Sequence, residues 1–374
     1  MNILFITDLY PVKDDEKTTP KTLLNFVKEW EKQGHKIDVI KPNFILNSFL
    51  RGKPFYKTGQ YGKVLNINYW TPFWFDVTKK SRCIDANRQC SFHEKTFHSS
   101  PFTFHYDITI AHMPSGILFA DKLELPFVAG VHNSDLEVLT SPLYKFHFKK
   151  RLKKALDNAK AIACRSYVIR DKLLKLYPEY EHKTFTAPSG IDENLIHPSL
   201  FTHHSSPVKV LTCANFKKRK NIDKVIEACK GLEGFELTVI GDGKERKKLE
   251  KLDKNVKFTG YLEHDKVLSK MRESDIFILP STGETFGMVY LEAMSQGCIT
   301  ICTIDDGIAG IIKDRENGFL TLPISNEIRK ILLNIKNMDD DGLKRLRYNS
   351  LRTIKEYTSE KCACEYLQQI FKIL

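Results

Sequence analysis

The sequence predicts an α/β protein made of two consecutive halves, each built on a parallel sheet. Three observations carry this. Short apolar runs, each closed by polar or turn residues, alternate with helical patterns along most of the chain. The alternation restarts after "TFTAPSGIDENLIHPSLFTHHSSP", a Pro-, Ser- and His-rich stretch that reads as an interdomain linker. The 374 residues exceed what one core accommodates and suit two domains of ordinary size.

The elements follow in order. "NILFITDLYP" is a first buried strand ended by Pro11, too short and too acidic to be a signal peptide. Leu23, Leu24, Phe26, Val27 and Trp30 mark a helix, and "QGHKIDVIKP" supplies a turn and a second strand. Strand, helix, strand in that order implies a right-handed parallel unit. "YDITIAHMP", "PFVAGVHNS" and "AKAIACRS" continue it as strands covered on both faces. The aromatic-rich segment from Phe44 to Tyr106, with "NYWTPFWF", reads as long loops with a hairpin. In the second half "KVLTCANF", "FELTVIGDG", "VKFTGYL", "SDIFILPS" and "CITICT" are strands, and "NIDKVIEACKGL" is a helix with Ile222, Val225, Ile226 and Cys229 on one face. Residues Thr358 to Leu374 form a helical tail with Cys362, Leu367, Ile370 and Phe371 on its apolar side.

Composition narrows the function. The net charge of +12 and pI near 9.1 favour a polyanionic partner: nucleic acid, anionic lipid or a phosphorylated substrate. No RNA-binding motif is present, which argues against nucleic acid. No apolar run reaches the roughly 18 residues a spanning helix needs. Nine cysteines, an odd number with no Cys-x-x-Cys pair, suggest core thiols in a reducing cytoplasm. Cys83, Cys90, His93 and His98 match no zinc pattern, so no metal is expected.

The stretch "PSTGETFGMVYLEAMSQGC" holds the most specific signal. Glu284 and Glu292 stand eight residues apart across a loop that opens a helix, with Ser281 or Thr282 as cap and Gly297 as terminator. The loop follows a buried strand, at the sheet edge where open α/β folds bind ligands. Helix-start amides attract phosphate. Eight helical residues rise about 12 Å, comparable to the span from a sugar past a diphosphate to a ribose. Ionised carboxylates accept hydrogen bonds from hydroxyls at either end. The plainer alternative is a helix-dipole carboxylate and a solvated one.

"ETFGMVYLEAMSQG" resembles the Glu-x7-Glu signature of the family 4 retaining glycosyltransferases. The resemblance implies the GT-B architecture: two Rossmann-like domains facing a cleft, with the C-terminal helix crossing back to the N-terminal domain. It implies an acceptor-binding domain over 1–195, a nucleotide-sugar domain over 196–355 and the returning helix over 356–374. In such enzymes the first Glu contacts donor-sugar hydroxyls and the second the ribose; here these are Glu284 and Glu292. The amides of Thr285, Phe286, Gly287 and Met288 then approach sugar and diphosphate.

"CANFKKRKNIDKVIEA" resembles the family's basic loop, in which an Arg and a Lys hold the diphosphate. Lys220 matches the Lys, Asn215 stands at the Arg position, and Arg219 or Lys218 is the substitute charge. A loop this basic suits neutralisation of a departing diphosphate, or is a solvated surface. Gly241 in "VIGDG" allows close backbone approach, although Gly-Asp-Gly is also an ordinary turn. Tyr261 and Leu262 fall where the family packs the base, and Tyr261 equally suits interdomain packing. His132, ending "PFVAGVH", falls where a family His approaches the donor sugar and faces the acceptor; a hydrogen-bonded structural His is its alternative. Gly190 and Asp192, in "APSGIDENLIHP", match a structural hinge segment. The first loop departs from the family: Thr18, Thr19 and Lys21 occupy a region where a Gly-Gly pair is usual.

The resemblance implies a metal-independent hexosyltransferase without a cofactor, acting by front-side displacement with retention. Catalytic roles fall on His132, Glu284 and Lys220. The expected donor is a UDP-sugar and the acceptor a glycan or lipid-linked glycan of bacterial surface polysaccharide. A nucleotide-sugar epimerase of related architecture and an inactive sugar-nucleotide-binding scaffold remain as alternatives. The stretch 141–160, "SPLYKFHFKKRLKKALDNAK", reads as a basic amphipathic helix beginning at Ser141 and Pro142. It suggests peripheral docking on the anionic inner face of a membrane, or a domain-packed helix with a solvated basic face.

Overall fold

The computed structural model describes residues 1–11, 20–45, 56–61, 64–70, 105–123, 125–142, 148–197 and 206–374. Thr18, Thr19, Cys83, Cys90, His93, His98 and most of the "NYWTPFWF" segment lie outside the described residues. The chain divides into two units. The first comprises Met1–Arg165, Ile169–Ala187 and Cys362–Leu374; the second comprises Ser166–Val168 and Pro188–Lys361.

The first unit is built from β1 (Asn2–Ile6), α1 (Thr22–Lys32), β2 (Lys36–Ile45), β3 (Tyr56–Tyr61), β4 (Val64–Trp70), β5 (Ile108–His112), α2 (Met113–Lys122), β6 (Phe127–Val131), α3 (Asn133–Thr140), α4 (Phe148–Asn158), β7 (Ala161–Cys164), most of α5 (Tyr167–Leu176) and β8 (Thr184–Thr186). Its eight-stranded sheet runs β3-β4-β2-β1-β5-β6-β7-β8. All pairs are parallel except β3 with β4, the expected hairpin. β1, β5, β6 and β7 bury nearly every residue, as strands covered by helices on both faces must.

The second unit holds β9 (Val208–Cys213), α6 (Ile222–Cys229), β10 (Phe235–Ile240), α7 (Arg246–Leu249), β11 (Lys257–Gly260), α8 (His264–Arg272), β12 (Ile276–Leu279), α9 (Met288–Ser295), β13 (Ile299–Thr303), β14 (Phe319–Thr321), α10 (Ser325–Lys336) and α11 (Asp340–Glu356). Its sheet is fully parallel, in the order β11-β10-β9-β12-β13-β14. The chain winds from β9 outward through β10 and β11, then crosses to β12 and winds the other way. The reversal falls between β9 and β12, and the C-terminal ends of strands at such a point are where open α/β sheets bind ligands.

After α11 the chain returns to the first unit as α12 (Ser359–Ile373). Cys362, Ala363, Tyr366, Leu367 and Ile370 are buried. Phe371, expected on the apolar side, is 53% exposed, and Tyr366 takes the inward place. Trp30 on α1 is fully buried and its indole donates to the Ala363 carbonyl at 2.9 Å. Trp30→Phe removes that donor and part of the ring. It is expected to cost about 2 kcal/mol, measured by urea unfolding; an unchanged midpoint would show that α12 is held by other contacts.

Candidate functional site

Loops from four neighbouring strands of the second unit meet at the C-terminal edge of the sheet. The loops after β9 and β12 are stitched together: Thr282 N–H donates to the Arg219 carbonyl at 2.8 Å, and Asn221 Nδ2 donates to the Pro280 carbonyl at 2.7 Å. The loop after β10 joins them through Phe216 N–H donating to the Asp242 carbonyl at 2.8 Å. The loop after β13 contributes Asp306, whose Oδ1 accepts from the backbone N–H of Glu284 at 3.0 Å and of Gly307 at 2.8 Å.

Glu284 is the focus of this network. Its Oε1 accepts from Arg219 Nη1 at 2.6 Å and from Lys220 Nζ. The Glu284 and Lys220 side chains are only about 15% exposed. Burial pushes the carboxyl upward, but Lys220 and Arg219 outweigh it and hold Glu284 below the usual glutamate range. Glu284 is therefore ionised at neutral pH, and two cations stand on one of its oxygens.

The following helix begins later than the sequence suggests. Ser281 and Thr282 do not cap it: Ser281 Oγ meets the Tyr290 hydroxyl at 3.2 Å, and Thr282 Oγ1 donates to the Arg219 carbonyl at 3.3 Å. The N-cap is Gly287 at φ +95°, where a Cβ would collide with the Tyr290 ring. Glu284 and Thr285 thus lie in the loop, Phe286 is buried as its anchor, and Met288 opens α9. Glu292 lies on α9, where its Oε1 meets His264 Nε2 at 3.1 Å. Tyr261 is 66% exposed, and Leu262 packs partly against the core. Asn215 is exposed beside Gly243. The glycine at 241 has a packing reason: at φ +127°, a Cβ would overlap the Ala214 carbonyl oxygen and press on Phe216.

His132 belongs to the first unit. It follows β6 as the N-cap of α3, and its backbone N–H donates to Asp135 Oδ2 at 2.8 Å. Its ring Nε2 meets His112 Nδ1 at 2.9 Å, and His112 Nε2 meets the Tyr366 hydroxyl at 3.1 Å. Burial and the Arg165 guanidinium hold both imidazoles well below the ordinary histidine range, with His132 adding to the effect on His112. Both rings are neutral.

Several site residues escaped the sequence reading. His112 carried a signal: "ITIAH" ends a strand just as "FVAGVH" does. His264, Asp306 and Tyr366 had none, because only the fold brings them to their partners. The basic helix α4 is described from Phe148 to Asn158, residues 143–147 lie outside the described residues, and Ser141 closes α3. Leu152, Ala155 and Leu156 are fully buried; Lys150, Arg151 and Lys154 are exposed; and Lys153 pairs with Asp157 at 2.9 Å. Among the described residues no helix is long and apolar enough to cross a membrane, and no cluster of metal-ligating side chains occurs. Cys164, Cys298, Cys302 and Cys362 are buried free thiols.

Residues 201–349 match the model of a family described as glycosyl transferases group 1. An uncharacterized glycosyltransferase of Methanocaldococcus jannaschii is 28% identical over 66% of this chain and 68% of its own length. The alpha-monoglucosyldiacylglycerol synthase of Acholeplasma laidlawii is 24% identical over 69% of this chain and 73% of its own. The crystal structure of Anabaena HepE in complex with UDP superposes with a TM-score of 0.69 at 16% identity, covering all of both chains. The fold, two units each built on a parallel α/β sheet, is that of GT-B proteins.

Proposed function

We propose that the protein is a retaining glycosyltransferase that moves a hexose from a nucleotide-diphosphate sugar, a UDP-sugar by preference, to a glycan or lipid-linked acceptor. The observation that carries this is Glu284 held on Lys220 and Arg219 at the reversal point of the second sheet, within the segment that matches the family. In this reading Glu284 receives the sugar hydroxyls. The amides of Thr285, Phe286, Gly287 and Met288 face the sugar and diphosphate. Lys220 and Arg219 neutralise the departing diphosphate. Glu292 takes the ribose, Tyr261 and Leu262 the base, and Asn215 and Gly241 shape the adjoining loops. His132 meets the donor sugar from the acceptor-binding domain. No residue serves as a covalent nucleophile; the departing phosphate accepts the acceptor's proton, and the protein positions and stabilises charge. Metal is not required.

UDP in the HepE structure supports the choice of base. The name of the Acholeplasma relative supports a lipid acceptor. The exposed cations of α4 favour peripheral contact with an anionic inner membrane face from the cytoplasm.

A thermal-shift screen with nucleotides and nucleotide-sugars tests the donor site. UDP or a UDP-sugar is expected to stabilise the wild type, and Glu292→Ala to weaken the apparent affinity about tenfold by removing one charge-assisted bond. If no nucleotide stabilises the wild type, the donor-site reading fails.

A further inference from the structure

We propose that His264 is a positioning residue of the donor site: its imidazole holds the Glu292 carboxylate ready for the ribose, and so sets how strongly the site recognises a ribose hydroxyl. This role rests on the ribose reading of Glu292 given above; the contact between the two side chains does not.

The two glutamates of the site are held differently. Glu284 carries two cations on one oxygen. The Glu292 side chain is 19% exposed, and its only hydrogen-bond partner among the described residues is His264, with Nε2 and Oε1 3.1 Å apart. The two residues stand 28 positions apart, His264 opening α8 and Glu292 in the second turn of α9, which packs beside it. Glu292 acts on the same strand end as Lys220. Burial pushes the thiol of Cys213, the last residue of β9, up to about 12, with Glu292 adding to the rise and Lys220 opposing it.

The chemistry of the pair follows. An ionised carboxylate only accepts, so Nε2 carries a hydrogen and donates it. A carboxylate offers about four acceptor positions on its two oxygens, and one bond to His264 leaves the others for hydroxyls. A glutamate on a helix surface otherwise samples several rotamers, and ordering it on binding costs free energy. His264 imposes that order before nucleotide arrives. Its own position is fixed from the base side. α8 begins directly after Tyr261, Leu262 and Glu263, and Leu262 packs on the same core cluster as Met288 and Val289 at the start of α9. The loop assigned to the base and the helix assigned to the ribose therefore share one packed foundation, with the His264–Glu292 bond as the polar link across it. Were His264 merely a solvated rim partner, its loss would leave hydroxyl recognition unchanged.

Calorimetric titration separates the two. UDP, with ADP and GDP alongside, is titrated into the full-length wild type, and the tightest diphosphate is then compared with its 2′-deoxy and 3′-deoxy forms. The wild type is expected to prefer the ribose form over at least one deoxy form by about tenfold, and Glu292→Ala to lose that preference. His264→Ala is expected to weaken the ribose form about fivefold and leave the deoxy form unchanged, so the preference falls to about twofold. His264→Gln, which keeps an N–H donor at similar reach, is expected to restore it. Unchanged deoxy binding shows that the variant site is folded. A His264→Ala protein that keeps the wild-type preference, or that weakens ribose and deoxy forms alike, overturns the positioning role and leaves the reading of Glu292 standing. A wild type that binds no diphosphate or shows no preference, or a Glu292→Ala protein that keeps it, overturns the ribose reading and the role of His264 with it.

Discussion

Glu284→Ala is expected to lower sugar-transfer turnover by about 100-fold while leaving UDP binding as tight as in the wild type, or tighter. The two effects separate because the proposed function gives Glu284 two roles. Without ligand its carboxylate occupies Arg219 and Lys220, the cations assigned to the diphosphate. Deleting it frees those charges for phosphate, so nucleotide affinity does not fall. In the proposed function the same carboxylate orients the sugar once donor is bound. Losing a charge-assisted hydrogen bond of about 1.5–3 kcal/mol, together with the orientation it enforces, accounts for a loss of that size. UDP titration by calorimetry alongside donor turnover decides the matter. A parallel fall in UDP affinity and turnover would mean that Glu284 binds the nucleotide and does not compete with it. The carboxyl also carries a pH signature. Its folded pKa lies below the ordinary glutamate range, so its contribution to stability is present above that range and is lost as pH falls through the folded value. Glu284→Gln should flatten that acid limb of the stability curve.

Gly241→Ala should be the most damaging single-methyl change at the site, costing about 3 kcal/mol or more of a total stability of roughly 5–15 kcal/mol. Two penalties coincide. The backbone sits at φ +127°, and the new Cβ overlaps the Ala214 carbonyl oxygen while touching the Phe216 ring. Phe216 is fully buried and packs edge-on against Phe258 at 6.3 Å, so it has no free direction in which to retreat. The strain would pass into the loop that carries Arg219 and Lys220. Urea unfolding measures the loss. A variant within 1 kcal/mol of wild type would show that the loop relaxes, and would return Gly241 to the ligand-approach role suggested by the sequence.

The alternation of short apolar runs with helical patterns made the two parallel sheets legible, because a strand covered on both faces is apolar almost throughout, as Phe127–Val131 and Ile276–Leu279 are. The edge carrying Glu284 and Lys220 was legible for a related reason: a motif directly after a buried strand must lie at its C-terminal end. Helix boundaries were harder. Ser281 and Thr282 have the chemistry of caps, but tertiary contacts with Tyr290 and Arg219 claimed their hydroxyls. Gly241 read as a glycine for close ligand approach or an ordinary turn, and its contact with Ala214 adds a packing reason that only the fold reveals. Tyr366 was passed over among the apolar residues of the tail because nothing local marks a tyrosine whose partner lies 254 positions away.

The first unit is discontinuous in the chain. Residues 362–374 complete a layer begun by residues 1–165, and the whole second unit intervenes. A nascent chain emerging from the ribosome therefore finishes its domains in reverse. The second unit has all its residues once Lys361 is out, whereas the first still lacks the side chains that cover Trp30 and His112. During that interval the N-terminal sheet is held without its last helix, with aromatic surface open to water and to chaperones. Its histidine row acquires its third member, Tyr366, only when the final helix docks, so the row is assembled last although two of its three residues are synthesised early.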